Sequence, residues 1–279
     1  MSKKISIFIY LILTVVPLGI GLIYAFLYSI GAIGALSNGI NAASWISVWN
    51  EGDFVKSLLF SMMIAGVSLF ISTAIALIIC IFWKPNEANK NSFVFYVPLS
   101  IPPIIAAFLT FQFLSNSGIV SRVLYQFGWL TDTAQFTPLI NDSYNFGVIF
   151  TQVLLTFPYF TLVFFNIYQN EKISLLSEIA STLGAEKQQL QRQIMLPILL
   201  QKAKNNLLLC FIFLMSAYEI PLLLGSQSPP MLSILVAQKF RKYNLNDIPQ
   251  AYVMTVIYAL IILILVSFFM KIKNEKNNL

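Results

Sequence analysis

The segment EIASTLGAEKQQLQRQIMLP, residues 178–197, is the stretch on which the reading of this chain turns. It opens on Glu178, passes through small residues to a glycine at 184, turns polar, and closes abruptly on Leu196 and Pro197. Its surroundings are the reverse. Of 279 residues, 58% are hydrophobic and only 10% are charged, whereas soluble domains carry about 25% charged residues. Phenylalanine occurs 24 times beside 12 Tyr and 4 Trp, a composition selected by a bilayer, with apolar spans and amphipathic aromatics at their ends. The polar segment therefore interrupts a membrane protein and belongs outside the apolar phase.

Working outward, six stretches carry enough uncharged length to cross a membrane: 5–30, 57–83, 92–114, 146–168, about 206–225, and 251–270. A hydrocarbon core of about 30 Å needs roughly 20 such residues per helix, and only helices and closed barrels satisfy their backbone there. The expectation is an all-α integral membrane protein with six transmembrane helices, read as a single transmembrane domain over 1–279, since no linker or repeat marks a second. Pro98, Pro102, Pro103, Pro158 and Pro221 fall within spans and predict kinks. The first span follows MSKK but is much longer than the roughly 7–15 residues of a signal h-region, so an uncleaved anchor is expected.

Orientation follows from the cations. Placing both termini and the loops 84–91 and 169–205 on one side gathers 12 of the 17 Lys and Arg there and leaves Lys56, Arg122, Lys239, Arg241 and Lys242 opposite. The richer side is cytoplasmic by the positive-inside rule. The net charge of +6 is then topological, and no nucleic-acid partner is implied. Lys239, Arg241 and Lys242 read first as a solvated basic turn, and second as a dock for an acidic rim on an external protein.

Several chemistries are excluded. The chain has no histidine, which removes Ser-His and Cys-His catalysis and His-ligated metals. Cys80 and Cys210 both sit in apolar runs, and the 11 acids are scattered. No G-x-x-x-x-G-K-[ST] motif occurs, so any nucleotide site belongs to a partner. No catalytic, cofactor or metal residue is expected.

Within the polar loop, Leu175, Leu176, Ile179 and Leu183 recur at helical spacing and predict one apolar stripe. Ala180, Ser181, Gly184 and Ala185 form a small-residue strip beside it. Gly184 can end this helix in the left-handed conformation; a second helical piece over 186–195 follows, and Pro197 marks re-entry towards the fifth span. The expected structure is helix, glycine corner, helix, with the small-residue face open to another body. The competing reading, a helix lying on the bilayer, expects Lys and Arg flanking a broad apolar face, whereas this one offers small residues and glutamines.

Glu178, Ala180 and Gly184, followed by Ile194, Leu196 and Pro197, resemble the EAA motif E-A-A-x-x-x-G-x9-I-x-L-P of binding-protein-dependent ABC importer permeases. Six such residues match a given start by chance on the order of once in 10 million. Ile179 departs from the alanine common in the family, and Leu190 from its bulkier aromatic. The resemblance implies a permease core over about 54–270. It implies that the loop 171–197 is a coupling helix seated on a cytosolic ABC ATPase dimer. It further implies a second permease subunit, the same or a related chain, an external solute-binding protein, and a place in the bacterial cytoplasmic (inner) membrane. Close approach would fall to Ala180 and Gly184, a charged contact to Glu178, and transmission into the fifth helix to Ile194, Leu196 and Pro197.

In LMSAYEIPLLLG, residues 214–225, Glu219 is the one residue of the Asp, Glu, Lys and Arg set inside an expected span. An acid there is costly and faces a cavity or partner. The stretch is similar to the fifth helix of permeases in the polyamine, iron(III), thiamine and sulfate branch, which implies that Tyr218, Glu219 and Pro221 line the translocation path. A polyamine-like cation is the first expectation for the solute, with iron(III), thiamine or an oxyanion as the others. The alternative function is a secondary transporter or channel acting alone, which normally needs several mid-membrane ionisable groups.

Overall fold

The computed structural model describes residues 3–34, 39–83, 93–132 and 135–277. The expected cytoplasmic loop with Lys84 and Lys90 lies outside the described residues. Among those described, the regular structure is helical: α1 (Lys3–Ser29), α2 (Ala43–Glu51), α3 (Asp53–Phe82), α4 (Phe93–Leu99), α5 (Pro103–Leu114), α6 (Ile119–Gln126), α7 (Phe146–Asn170), α8 (Ile173–Thr182), α9 (Lys187–Met215), α10 (Glu219–Leu224), α11 (Leu232–Arg241) and α12 (Asp247–Asn277). Six segments are long and apolar enough to span a membrane, as the sequence predicts, and the fold is an all-α, multi-pass one.

Two span boundaries differ from the sequence reading, and both differences trace to proline. The expected third span is broken: α4 ends at Leu99 and α5 restarts at Pro103 after an extended Pro102 (φ −58°, ψ 141°). Pro98, Pro102 and Pro103 withdraw three N–H donors over six positions, and Pro103 sits where a helix tolerates the loss. The expected fifth span also shifts. Its helix begins at Lys187 and ends at Met215; the chain turns through 216–218 and α10 begins at Glu219. Pro221 has no N–H for the carbonyl of residue 217, so the helix ends before it, and Pro221 takes a first-turn position in α10. Pro197 does not mark the start of the fifth helix: it lies within α9, directly after a wide π-segment, Leu190–Met195. It offers no donor to the carbonyl of Gln193, and a locally widened turn is one way a helix absorbs such a gap.

The chain divides into two compact units. The first comprises 1–58 and 232–279, where α1, α2 and α11 pack on α12. Its core joins Val48, Phe54, Leu232, Val253 and Met254. Lys239 is buried at 6% exposure and held by Glu51 Oε2 at 2.7 Å, Asp247 Oδ1 at 3.2 Å and Gln250 Oε1. The expectation of a solvated basic turn is thus corrected at Lys239, because a chain too apolar to solvate a cation there has supplied two carboxylates instead. Burial pulls its pKa down, but the hydrogen bonds and charges of Glu51 and Asp247 outweigh this and the net shift is upward.

The second unit, 59–231, packs α4, α5, α9 and α10 around α7. Its core gathers Ala76, Cys80, Phe160, Phe164, Ile173 and Leu199. Hydroxyls in this apolar interior donate back to their own helices: Ser72 to the Ser68 carbonyl at 2.7 Å, Thr73 to Leu69 at 2.7 Å, Thr161 to Phe157 at 2.8 Å. This is how polar residues stay satisfied without water. Thr151 Oγ1 also donates to Thr110 Oγ1 at 2.8 Å, joining α7 to α5.

Candidate functional site

Two places in the second unit hold the residues singled out from sequence. The first is the corner between α8 and α9. It is built by local chemistry: the Gly184 N–H donates to the Ser181 carbonyl at 3.0 Å and the Ala185 N–H to the Ala180 carbonyl at 3.1 Å. That crossed pair is a Schellman motif, and it requires Gly184 at φ +89°. One arm of a capping box follows, in which the Glu186 N–H donates to Gln189 Oε1 at 3.1 Å. The helix, glycine corner and helix predicted from sequence are all present. Ile173 is buried in the core cluster and anchors the near end of α8, and Glu171 meets Lys202 of α9 at 2.7 Å.

The faces of α8 divide unevenly. Leu175, Leu176, Ile179 and Leu183 are exposed, Leu183 at 83%. Ala180 is half-buried, Gly184 is exposed with nothing within 4 Å of a Cβ built there, and Glu178 is exposed. Ile194 and Leu196 are half-buried and Pro197 is exposed. The apolar stripe, rather than the small strip alone, is therefore the outward surface. Ile179, the departure from the motif, belongs to that stripe. Behind α8 a cavity of about 530 Å³ is bounded by Cys80, Tyr168, Ser177, Glu178, Lys187 and Gln191.

The second place is the break between α9 and α10. Glu219 is exposed, Tyr218 half-buried and Pro221 buried. Tyr218 and Glu219 border a cavity of about 270 Å³ together with Gln152, Thr156, Ser216 and Pro103; Pro221 is not among its lining residues and instead shapes the turn. Gln152, which the sequence reading passed over, is fully buried, and its Nε2 donates to the Leu214 carbonyl at 3.3 Å. The signal was present as a lone amide in the apolar run FGVIFTQVLLTF, but a search for ionisable groups does not find it.

The far end of this region is clipped by backbone. Asn145, buried and left-handed at φ +53°, accepts the Ser226 N–H at Oδ1 at 2.5 Å. The Asn141 N–H donates to the Leu224 carbonyl at 2.9 Å, and Asp142 accepts from the Phe146 N–H at the start of α7 at 3.0 Å. Gly225 is closely approached: a Cβ there would lie 2.5 Å from the Pro221 carbonyl oxygen.

A family model described as "Binding-protein-dependent transport system inner membrane component" matches residues 91–276, well over half the chain and including both places just described. The chain belongs to this family. The permease fold recurs in a bacterial ABC transporter involved in the import of the acidic polysaccharide alginate. A chain of that assembly matches 98% of this one over 94% of its own length, at TM-score 0.72 and 16% identity. A bacterial alginate ABC transporter in complex with an alginate pentasaccharide-bound periplasmic protein matches 96% and 91%, at TM-score 0.68 and 17% identity. At such identities the likeness concerns the fold. No curated protein matches this chain. The chain is thus an ABC importer permease component, a multi-pass membrane protein and not itself an enzyme.

Proposed function

We propose that this permease acts as one transmembrane unit forming half of a translocation pathway in the bacterial cytoplasmic membrane. It pairs with a second permease, the same or a related chain, receives solute from an external binding protein, and is driven by a cytosolic ATPase dimer through 171–197. The solute is a small one, a polyamine-like cation in the first instance, with iron(III), thiamine or an oxyanion behind it, and it passes Tyr218 and Glu219 beside the turn that Pro221 sets. Ala180 and Gly184 allow close approach of the ATPase, Glu178 pairs with a polar group on it, and Ile194, Leu196 and Pro197, within α9, pass its movement along that helix.

The observation that carries this reading is the exposed row Leu175, Leu176, Ile179 and Leu183 on α8. Four large apolar side chains on a polar, locally capped corner form a surface that favours a protein partner. Because α9 continues from the corner through Met215, displacement of that partner reaches the Glu219 turn along one helix about 43 Å long. Purification in mild detergent with mass spectrometry of the associated subunits tests it. A tightly held ATPase is expected; a chain that purifies alone and transports alone in liposomes overturns the proposal.

A further inference from the structure

The side chain of Gln152 uses its donor and leaves its acceptor free. It lies on α7 at 0% exposure, about 9 Å along the helix from Phe146 at 1.5 Å per residue. The bond from Nε2 to the Leu214 carbonyl fixes which way the amide faces, and Oε1 is left buried with no hydrogen-bond partner. An unpaired buried amide oxygen is unfavourable and uncommon in folded proteins.

Gln152 borders the 270 Å³ cavity, where its polar neighbours are the hydroxyls of Thr156, Ser216 and Tyr218 and the acid of Glu219. Glu219 contributes a carboxylate. The Ser216 hydroxyl already donates to the Ile212 carbonyl at 2.8 Å and to the Phe213 carbonyl at 3.1 Å, so it turns lone pairs outward. No Lys or Arg lines the space, while Leu155 and Phe213 supply apolar wall. A cavity with acceptors, one acid and apolar sides complements a solute that carries positive charge on N–H donors and has methylenes between them. A bare metal ion fits less well, since among the described residues no three His, Cys, Asp or Glu gather to hold one.

We propose that this cavity is a transit subsite for an organic ammonium ion, with Gln152 Oε1 and the Glu219 carboxylate as its two acceptors. The inference rests on the permease reading above, narrows its list of solutes to an organic ammonium, and adds a residue, Gln152, that selects it.

The test uses the permease with its co-expressed ATPase in lipid nanodiscs, carrying Thr156→Cys in a Cys80→Ala, Cys210→Ser background, so that both acceptors are kept. The thiol is labelled by a trimethylammonium or by a sulfonate methanethiosulfonate reagent of similar size. The cationic reagent is expected to react at least tenfold faster, 1,4-diaminobutane to slow it saturably, and succinate to leave it unchanged. Adding Glu219→Gln should bring the two rates within about twofold. Absence of labelling, equal rates without the second substitution, or protection by succinate overturns the subsite. Should Thr156→Cys fail to accumulate, Ser216→Cys reports on the same cavity with the same expected preference; in either, Gln152→Leu should weaken protection by 1,4-diaminobutane, and unchanged protection overturns Gln152 as an acceptor. Co-purification of the ATPase in the same preparation separates the two claims: its loss from the unlabelled parent complex strikes the permease reading, whereas its retention with charge-indifferent labelling strikes the ammonium subsite alone.

Discussion

The corner at Gly184 and the buried polar clasps at Lys239, Asn145 and Gln152 solve opposite problems. The corner is exposed, and the backbone and capping bonds that turn it join residues within five positions of one another. The clasps are buried and join residues far apart in sequence: Lys239 to Glu51, Ser226 to Asn145, Gln152 to Leu214. The exposed corner is thus determined locally. The permease body is instead held by long-range contacts that only the completed fold brings together. Substitutions should therefore separate cleanly: those in the clasps lower stability, and those on the corner lower association while leaving the fold alone.

The largest effect is expected at Lys239. Lys239→Met keeps the length but leaves Asp247, 11% exposed, without its cation, while Glu51, 38% exposed, turns to water; removing one member of a buried pair costs about 3 kcal/mol. The thermal unfolding temperature of the detergent-solubilised protein should fall by several degrees. The pH dependence has a definite sign. Because the Lys239 pKa is raised in the fold, the pairing is fully present below the ordinary lysine value of about 10.4 and is lost only as pH climbs through the higher folded value. Between pH 6 and 9 the lysine itself should contribute no slope, and a steep loss in that window would mean the clasp is not as described.

Next comes Gly225→Ala. Its Cβ would lie 2.5 Å from the Pro221 carbonyl oxygen and 3.0 Å from the Pro221 Cα, and backbone cannot yield as a flexible side chain does. An overpacking cost of about 1–3 kcal/mol is expected, read as lower yield of monodisperse protein and a lower unfolding temperature. An unchanged melting curve would show that the α10 turn relaxes freely.

On the corner the expected effect moves to a different measurement. Leu183→Asp removes an 83% exposed side chain that contributes nothing to the isolated fold. If it is covered by a partner, burial of a leucine contributes about 1.5–3 kcal/mol, or roughly 10- to 100-fold in affinity. Pull-down of the ATPase should weaken accordingly with the unfolding temperature unchanged. A drop in stability without loss of association would invert the comparison. Gly184→Ala should do less, about 1 kcal/mol from the left-handed φ, since space for the Cβ is open.

What could be read from the sequence follows the same division. The six spans, the glycine corner and the motif residues depend on local composition and spacing, and these were legible. The two misplaced boundaries, at Pro102 and Pro221, arose because apolar length alone does not say whether a helix passes a proline or stops at it; that depends on whether the freed carbonyls find other donors. Lys239 looked like surface because its partners Glu51 and Asp247 lie on other helices. Gln152 was invisible for a related reason: an amide in a span gains meaning only once it is known which of its two polar ends has been satisfied.

The smallest effects are expected at Thr151 and Gln152 on α7. Thr151 donates to Thr110 Oγ1 at 2.8 Å and to the Gly147 carbonyl at 2.8 Å, while Thr110 donates to the Ala106 carbonyl at 3.0 Å. Thr151→Val keeps shape and burial and deletes one link between α5 and α7, yet it strands no donor, because the Thr110 hydroxyl still has Ala106. Inter-helix bonds of this kind contribute about 0.6 kcal/mol in membrane proteins, so a shift of only one or two degrees in unfolding temperature is expected. Gln152→Leu, at the next residue of the same helix, deletes a donor to the Leu214 carbonyl near the C-terminal end of α9 together with an acceptor that has no partner in the fold. Its stability change should be of similar size, because the lost bond and the relieved orphan offset one another. A much larger loss at Gln152 than at Thr151 would mean that its oxygen is already satisfied in the folded protein, and that nothing remains there for a solute to bind.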